Sequence, residues 1–295
     1  MRAAVIFGLG TSPANLRSFR VDSSTEWIEG VPASSNDADA ILIFGGDGTI
    51  HRHLPALVRL QLPVLIVPSG SGNDFARALH LNGARDALRA WRHFESGAGN
   101  VRAIDLGTIT ERGANASKHY FCCVAGCGID TAVARKANRM PRWLRRHGGY
   151  VLGLVPTIFQ FSPIQLRIHM NGGLPADTPR PLLLAAFANA PYFGDGMLVA
   201  PRAQLDDGKL DLCLVNPLNR LKLLSLFPSV YFGRHLELEE VEYSQAEHAL
   251  VDSSSRVEIY ADGEYVCETP VEIGVERGAL RVIAADSPRE ADSIP

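Results

Sequence analysis

The chain has 295 residues, of which 46% are hydrophobic and 21% charged, and a formal net charge of −3. That balance builds a sizeable core and fits two domains, and it excludes a protein that binds nucleic acid by bulk charge. Lysine is scarce: Lys118, Lys136, Lys209 and Lys222 are the only four, so none precedes residue 118.

In chain order, "AAVIFG" reads as a first buried strand. Residues 11–39 are rich in Ser, Asn and Pro and predict no clear helix. "AILIF" (40–44) and "VLIVP" (64–68) are short apolar runs of the kind a parallel sheet buries. Between them Ile50, Leu54, Leu57 and Val58 recur at helical spacing, with Pro55 predicting a kink or a late helix start. "NDFARALHL" opens a further helix, with Asn73 and Asp74 as candidate N-caps. This strand–helix alternation predicts an α/β domain with a parallel sheet over residues 1–100. From 101 to 286 short β-rich runs alternate with Gly, Asp-Gly and Asn-Gly turns, predicting a mostly antiparallel β-sandwich. Two helical insertions interrupt it, over 129–161 and 218–233. Residues 287–295 read as a frayed tail.

The cysteines at 122, 123, 127, 213 and 267 lack the C-x-x-C spacing of a zinc site, and Cys122, Cys123, Cys213 and Cys267, in apolar strand-like runs, read as buried free thiols. No secretory signal is visible, and "GGYVLGLVPTIFQF" is too short for a membrane span. The expected setting is the cytoplasm, with the inner membrane face as a possible peripheral location.

Chemistry concentrates in two turns. "ILIFGGDGT" runs a buried strand into Gly45, Gly46, Asp47, Gly48 and Thr49. Glycines let a bound group approach the backbone, and a helix N-terminus beyond them is an anion site. Asp47 cannot hold phosphate directly but can do so through Mg²⁺. The plainer alternative is a tight strand-to-helix turn with Thr49 as N-cap. "VPSGSGNDFARAL" repeats the design at the end of the next strand, and two such turns at the carboxyl ends of parallel strands mark a ligand crevice. The G-x-x-x-x-G-K-[ST] loop is absent, as are G-x-G-x-x-G and the kinase strings H-R-D and D-F-G.

"GGDGT" followed by "PSGSGNDFARAL" resembles the catalytic domain shared by diacylglycerol kinases, sphingosine kinases and bacterial lipid kinases. "VAGCGID", "NAPYFGDGMLVAPRAQLDDGKLDLCLV" and "ADGE" are similar to later motifs of that family, in the usual order, so the resemblance spans roughly residues 40–285. It implies an ATP-dependent kinase that phosphorylates a lipid hydroxyl held between two domains. Gly45, Gly46, Asp47, Gly48 and Thr49 would bind nucleotide phosphates and Mg²⁺. Ser71 would keep a hydroxyl on the nucleotide, and Asn73 and Asp74 would organise that wall. Glu264 would be the general base, with Asp47 at the phosphate–metal end; the reversed assignment stays open. Gln204 and Lys209, through backbone carbonyls, and Asp207, through its carboxylate, would hold a structural Mg²⁺.

The chain departs from the family pattern in "FGLGTSP", which replaces an Asn-Pro-x-Ser/Ala-Gly turn, in the shortened 11–39 segment and in His51. Without the resemblance, Asp207-Gly208 and Asp262-Gly263 both read as type I′ hairpin turns, and Asp206 and Asp211 as solvated. The run from Arg135 to Arg146, with Lys136, Arg139, Arg142, Trp143 and Arg145, holds no acid. It fits anionic headgroups or, equally, a solvated helix face. "LLSLFPSVYF" (223–232) reads as core packing, with acyl-chain contact as the alternative. The histidines show no metal spacing. An NAD kinase-like small-molecule kinase and a non-catalytic nucleotide- or lipid-binding module are the competing functions.

Overall fold

A computed structural model of the chain describes residues 1–113, 116–138, 161–171 and 178–285. The chain divides into two compact units, Met1–Ile104 with Gly278–Pro295, and Asp105–Arg277. The first division falls just after the composition change near residue 100. The second returns the end of the chain to the first unit. The expected tail, 287–295, lies outside the described residues, as does Arg139–Arg146 of the basic run.

The first unit is α/β. Strands β1 (Arg2–Phe7), β2 (Glu26–Glu29), β3 (Ala40–Gly45) and β4 (Val64–Pro68) form a parallel sheet in the order β2-β1-β3-β4. Every residue of β3 is buried, as the continuous apolar run requires of a strand covered on both faces. The shortened 11–39 segment still supplies a one-turn helix, α1 (Arg17–Arg20), and β2. β2 escapes a periodicity reading because only two central residues, Trp27 and Ile28, are partly buried between exposed glutamates. Helix α2 (Asp47–Leu60) runs straight through Pro55, so the late start does not occur: Gly46 is the N-cap and Thr49 lies inside the first turn. Buried Ile50, Leu54 and Leu57 fasten it to the sheet, which tolerates the lost Pro55 N–H. Helices α3 (Asp74–Ala78) and α4 (Ala84–Glu95) follow, with fully buried Trp91 of α4 against Trp27 of β2, ring centroids 5.5 Å apart.

The second unit is a sandwich of two antiparallel layers. Strands β5 (Val101–Glu111) and β6 (Lys118–Phe121) lead into β7 (Val124–Gly128) and helix α5 (Ile129–Asn138). β8 (Ile164–Met170), β9 (Arg180–Leu182) and β10 (Leu184–Ala188) are followed by the short pair β11 (Tyr192–Phe193) and β12 (Met197–Leu198). β13 (Leu210–Val215), helix α6 (Arg220–Val230), β14 (Val241–Ala246), β15 (His248–Asp252), β16 (Glu258–Ala261), β17 (Glu264–Glu268) and β18 (Val271–Ile283) complete it. One layer runs β14-β13-β10-β7-β16-β17; the other includes β9, β8, β15 and the start of β18. Phe121, Leu166, Val251 and Ile273 meet Phe187, Leu212 and Ile259 in the core between them. Helices α5 and α6 are the described parts of the two expected insertions.

Asp211 corrects the sequence reading: it is fully buried rather than solvated. β13 places it directly across from Gln245 of β14, whose Nε2 donates to both carboxylate oxygens at 3.3 Å. Burial pushes its carboxyl above the ordinary range, against the pull of hydrogen bonds from Tyr243 and Gln245. Asp207-Gly208 is a second correction. Gly208 has φ +72° but Asp207 is absent from the described residues with positive φ, so the pair is not a type I′ turn, which needs positive φ at both. Asp262 (φ +50°) and Gly263 (φ +84°) do form one, joining β16 to β17.

Candidate active site

Strand β3 ends at Gly45 and helix α2 begins at Asp47, so the first-turn N–H groups of α2 stand at the carboxyl edge of the parallel sheet. The second glycine turn is built against the first. A Cβ on Gly46 would sit 2.8 Å from Gly70 Cα, and one on Gly70 only 2.6 Å from Gly46 Cα. No side chain larger than hydrogen fits at either position without backbone movement. Ser69 N–H donates to Gly45 O at 3.0 Å, tying the two strand ends together.

Side chains reinforce the junction. Asp47 reaches across the turns: Asp74 N–H donates to its Oδ2 at 3.1 Å and Phe75 N–H to its Oδ1 at 3.0 Å. Asp47 therefore caps α3, a helix remote in sequence. Asn73, in the left-handed region at φ +55°, takes Gly70 N–H on Oδ1 at 2.8 Å and donates from Nδ2 to Gly70 O at 2.9 Å. Neither Asn73 nor Asp74 is a side-chain N-cap of α3, as its spacing had suggested, because Asp47 holds those N–H groups instead. Asp74 is buried and pairs with Arg77 at 3.0 Å. Thr49 packs its side chain beneath Gly45 and against Gly8. Ser71 is exposed at the mouth of the second turn. Gly45, Gly46, Asp47, Gly48, Thr49, Asn73 and Asp74 thus lie in one junction inside the first unit.

The second unit carries two further motif segments. In "ADGE", Asp262 is buried and its carboxylate accepts from Cys122 N–H at 2.9 Å, Cys123 N–H at 2.8 Å and Val124 N–H at 3.3 Å. Its own N–H returns to Val124 O at 3.0 Å. The hairpin tip is thereby pinned to the start of β7, while Glu264, the first residue of β17, is exposed. In "QLDDGKL", Asp207 Oδ1 accepts Lys209 N–H at 3.0 Å. Buried Asp105 holds the loop from below, accepting Gly208 N–H at 2.7 Å and donating its N–H to Leu205 O at 2.6 Å. Gln204 and Lys209 are exposed.

Asp105, and the clamping role of Asp262 beyond its turn, escaped the sequence reading. Each holds a segment about 100 residues or more away, and no local pattern reports such a partner. Asp130 escaped it too. It lines an apolar cavity of the second unit with Val133, Leu184, Leu223, Phe227 and His235. Its Oδ1 is shut off from solvent and has no partner among the described residues, although the residue as a whole is only half-buried. The direction follows the oxygen: burial lifts this carboxyl to about 7. His235 donates from Nε2 to Val199 O at 3.1 Å, and burial lowers its pKa, so its Nδ1 is a bare acceptor.

A parallel α/β unit with two abutting glycine turns, followed by an antiparallel β unit, defines a kinase fold of the diacylglycerol kinase and NAD kinase type. Residues 20–109 match the diacylglycerol kinase catalytic domain, and residues 123–284 match the YegS C-terminal NAD kinase beta sandwich-like domain. A diacylglycerol kinase of Mycobacterium tuberculosis is 33% identical over 251 residues, covering 85% of this chain and 78% of the relative. A diacylglycerol kinase of Bacillus subtilis is 27% identical over 235 residues, covering 79% and 73%. Among solved structures, a diacylglycerol kinase from Bacillus anthracis superposes with a TM-score of 0.68 at 17% identity, covering 97% of each chain. An NAD kinase from Archaeoglobus fulgidus, in complex with ATP, gives 0.52 at 14%, covering 97% of this chain and 94% of the other. The chain belongs to the diacylglycerol kinase-like family of lipid kinases. Among the described residues, no helix is long and apolar enough to cross a membrane.

Proposed function

We propose that the protein transfers the γ-phosphoryl group of ATP to the hydroxyl of a lipid such as diacylglycerol. The observation that supports this reading is the Gly46–Gly70 contact, which brings two glycine turns and the start of α2 together as bare backbone, the kind of surface that takes phosphate. Gly45, Gly46, Gly48 and Thr49 line the first turn, and Ser71 offers its exposed hydroxyl from the second. The apolar cavity of the second unit suits the hydrocarbon of a lipid.

Asp47 fits a hard cation. Its oxygens accept the N–H groups of Asp74 and Phe75, which aims the carboxylate, and carboxylate oxygen is the ligand type a hard cation takes. Asp207, with the backbone carbonyls of Gln204 and Lys209, is the proposed holder of a second, structural Mg²⁺. When bound at the phosphates, Mg²⁺ neutralises charge on the group being transferred. Glu264 takes the proton of the lipid hydroxyl as its oxygen bonds to the γ-phosphorus, and the β–γ bridging oxygen leaves with ADP. Membrane contact through Arg135 and the basic residues after it completes the proposal; Arg135 itself is exposed and pairs with Glu258 at 3.2 Å.

Purified protein given radiolabelled ATP, Mg²⁺, mixed micelles of diacylglycerol and, in parallel, NAD tests this reading. Label is expected on the lipid. Label on NAD would overturn the lipid assignment, and intact ATP binding without transfer to any alcohol would favour a non-catalytic module.

A further inference from the structure

All five cysteines are buried and none is in a disulfide. Two of them are held in a place that burial alone does not require. β6 ends at Phe121 and β7 begins at Val124, and the chain bends at Cys122-Cys123. The bend breaks the alternation that sends adjacent strand side chains to opposite faces. As a result Cys122 Sγ, Cys123 Sγ and a carboxylate oxygen of Asp262 all lie within 4.8 Å of one another. Among the described residues this is the only such cluster of three His, Cys, Asp or Glu groups.

We propose that Cys122, Cys123 and Asp262 form a binding site for a thiophilic divalent cation, Zn²⁺ or Cd²⁺. The site is separate from any Mg²⁺ at Asp47 or Asp207 and does not depend on the kinase reading. Cys122 Sγ–H donates to Asp262 Oδ2 at 3.3 Å. In a tetrahedral zinc site, bonds of ~2.3 Å to sulfur and ~2.1 Å to oxygen separate those atoms by about 3.6 Å. The Cys122–Asp262 pair therefore needs a shift of only a few tenths of an ångström to take a cation, and Cys123 Sγ, within 4.8 Å of both, closes on it by a side-chain movement. Binding releases the two thiol protons to solvent. The set carries −1 before binding, as two thiols and a carboxylate, and −1 after it, as two thiolates, a carboxylate and the cation, so the two positive charges gained are balanced by the two protons lost. Two thiolates select a soft or borderline ion over Mg²⁺.

The surroundings are those of a prepared ligand set. Asp262 also accepts the N–H groups of Cys122, Cys123 and Val124, which orient the carboxylate. Independently, Asn189 is fully buried and donates from Nδ2 to Cys122 O at 3.2 Å and Asp105 O at 3.0 Å. Its Oδ1 has no partner among the described residues. A buried acceptor left over in the residue that holds the Cys122 backbone calls for a donor such as a bound water.

The whole protein, titrated with Cd²⁺ after chelator treatment, tests the site. Thiolate-to-cadmium charge-transfer absorption should grow to saturation at a single equivalent, with proton release in weak buffer. Cys122→Ser and Cys123→Ser should each lose it, while Cys267→Ser, a buried thiol of β17, should keep it. X-ray absorption of the zinc-loaded wild type should give two sulfur neighbours and lighter atoms. That measurement stands even if the serine variants fail to fold. Absence of the absorption from folded wild type, its persistence in both serine variants, or zinc bound without two sulfurs would overturn the proposal.

Discussion

The turns of "GGDGT" and "ADGE" invite comparison because each sets an Asp beside a Gly at the end of a buried strand. In both, the aspartate acts on remote backbone. Asp47 accepts the N–H groups of Asp74 and Phe75, and Asp262 those of Cys122, Cys123 and Val124. The difference lies in what surrounds the clamp. Around Asp47 backbone meets backbone, with room only for hydrogen between Gly46 and Gly70. Around Asp262 the clamp is buried and the next carboxylate, Glu264, projects into the open. An aspartate that fixes a frame and a neighbour free to react are different assignments, and their variants should separate.

The largest effect is expected at Glu264. Glu264→Gln removes a proton acceptor from an exposed site, so phosphoryl transfer should fall about 10²- to 10⁴-fold while thermal stability stays within about 0.5 kcal/mol of wild type. Steady-state kinetics beside a melting curve would read both. Asp262→Ala should do the reverse first. Two or three buried N–H groups lose their acceptor, and denaturant titration should show a loss of roughly 2–5 kcal/mol. If Asp262→Ala were fully stable yet inactive, the aspartate would belong to the chemistry and the contrast would break.

Asp130 sharpens the comparison as a carboxylate whose backbone donors, its own N–H and that of Thr131, do not offset its burial. Its folded pKa, about 7, lies above the unfolded value near 3.8, so the folded state binds the extra proton between them. Wild-type stability should then decline as pH rises from about 4 to 7, and Asp130→Asn should recover up to ~4 kcal/mol at pH 8 and little at pH 4. Urea titrations of both proteins across that range would test it; parallel curves would place the carboxyl in contact with water. The smallest effect is expected at Gly70→Ala, whose new Cβ must push the Gly46 backbone, at about 1–3 kcal/mol with weaker ATP binding. Gly83→Ala, with open space at its Cβ, is the neutral control.

The sequence made the first frame readable because its signals are local. Buried β-runs, glycines and the capping residues after them stand side by side, and the chain folds them into one junction. The β-rich half was readable as an architecture for the same reason. What stayed hidden was partnership across distance. Asp47 was placed with the phosphates, but nothing in "GGDGT" says that it also caps α3. Asp211 looked solvated until its register with Gln245 buried it, and Asp105 sits in a plain strand. Cys122 and Cys123 lack metal spacing, yet a bend and a residue 139 positions past Cys123 put a carboxylate within 4.8 Å of both thiols.

The central claim is that nucleotide phosphates settle on the two abutting glycine turns. Hydrogen exchange of the whole protein, with and without a non-hydrolysable ATP analogue and Mg²⁺, tests it most directly. Slower exchange is expected in residues 45–50 and 69–75, with the amides of 121–124 unchanged. Saturating analogue that leaves both glycine turns exchanging as before, with protection elsewhere, would contradict it.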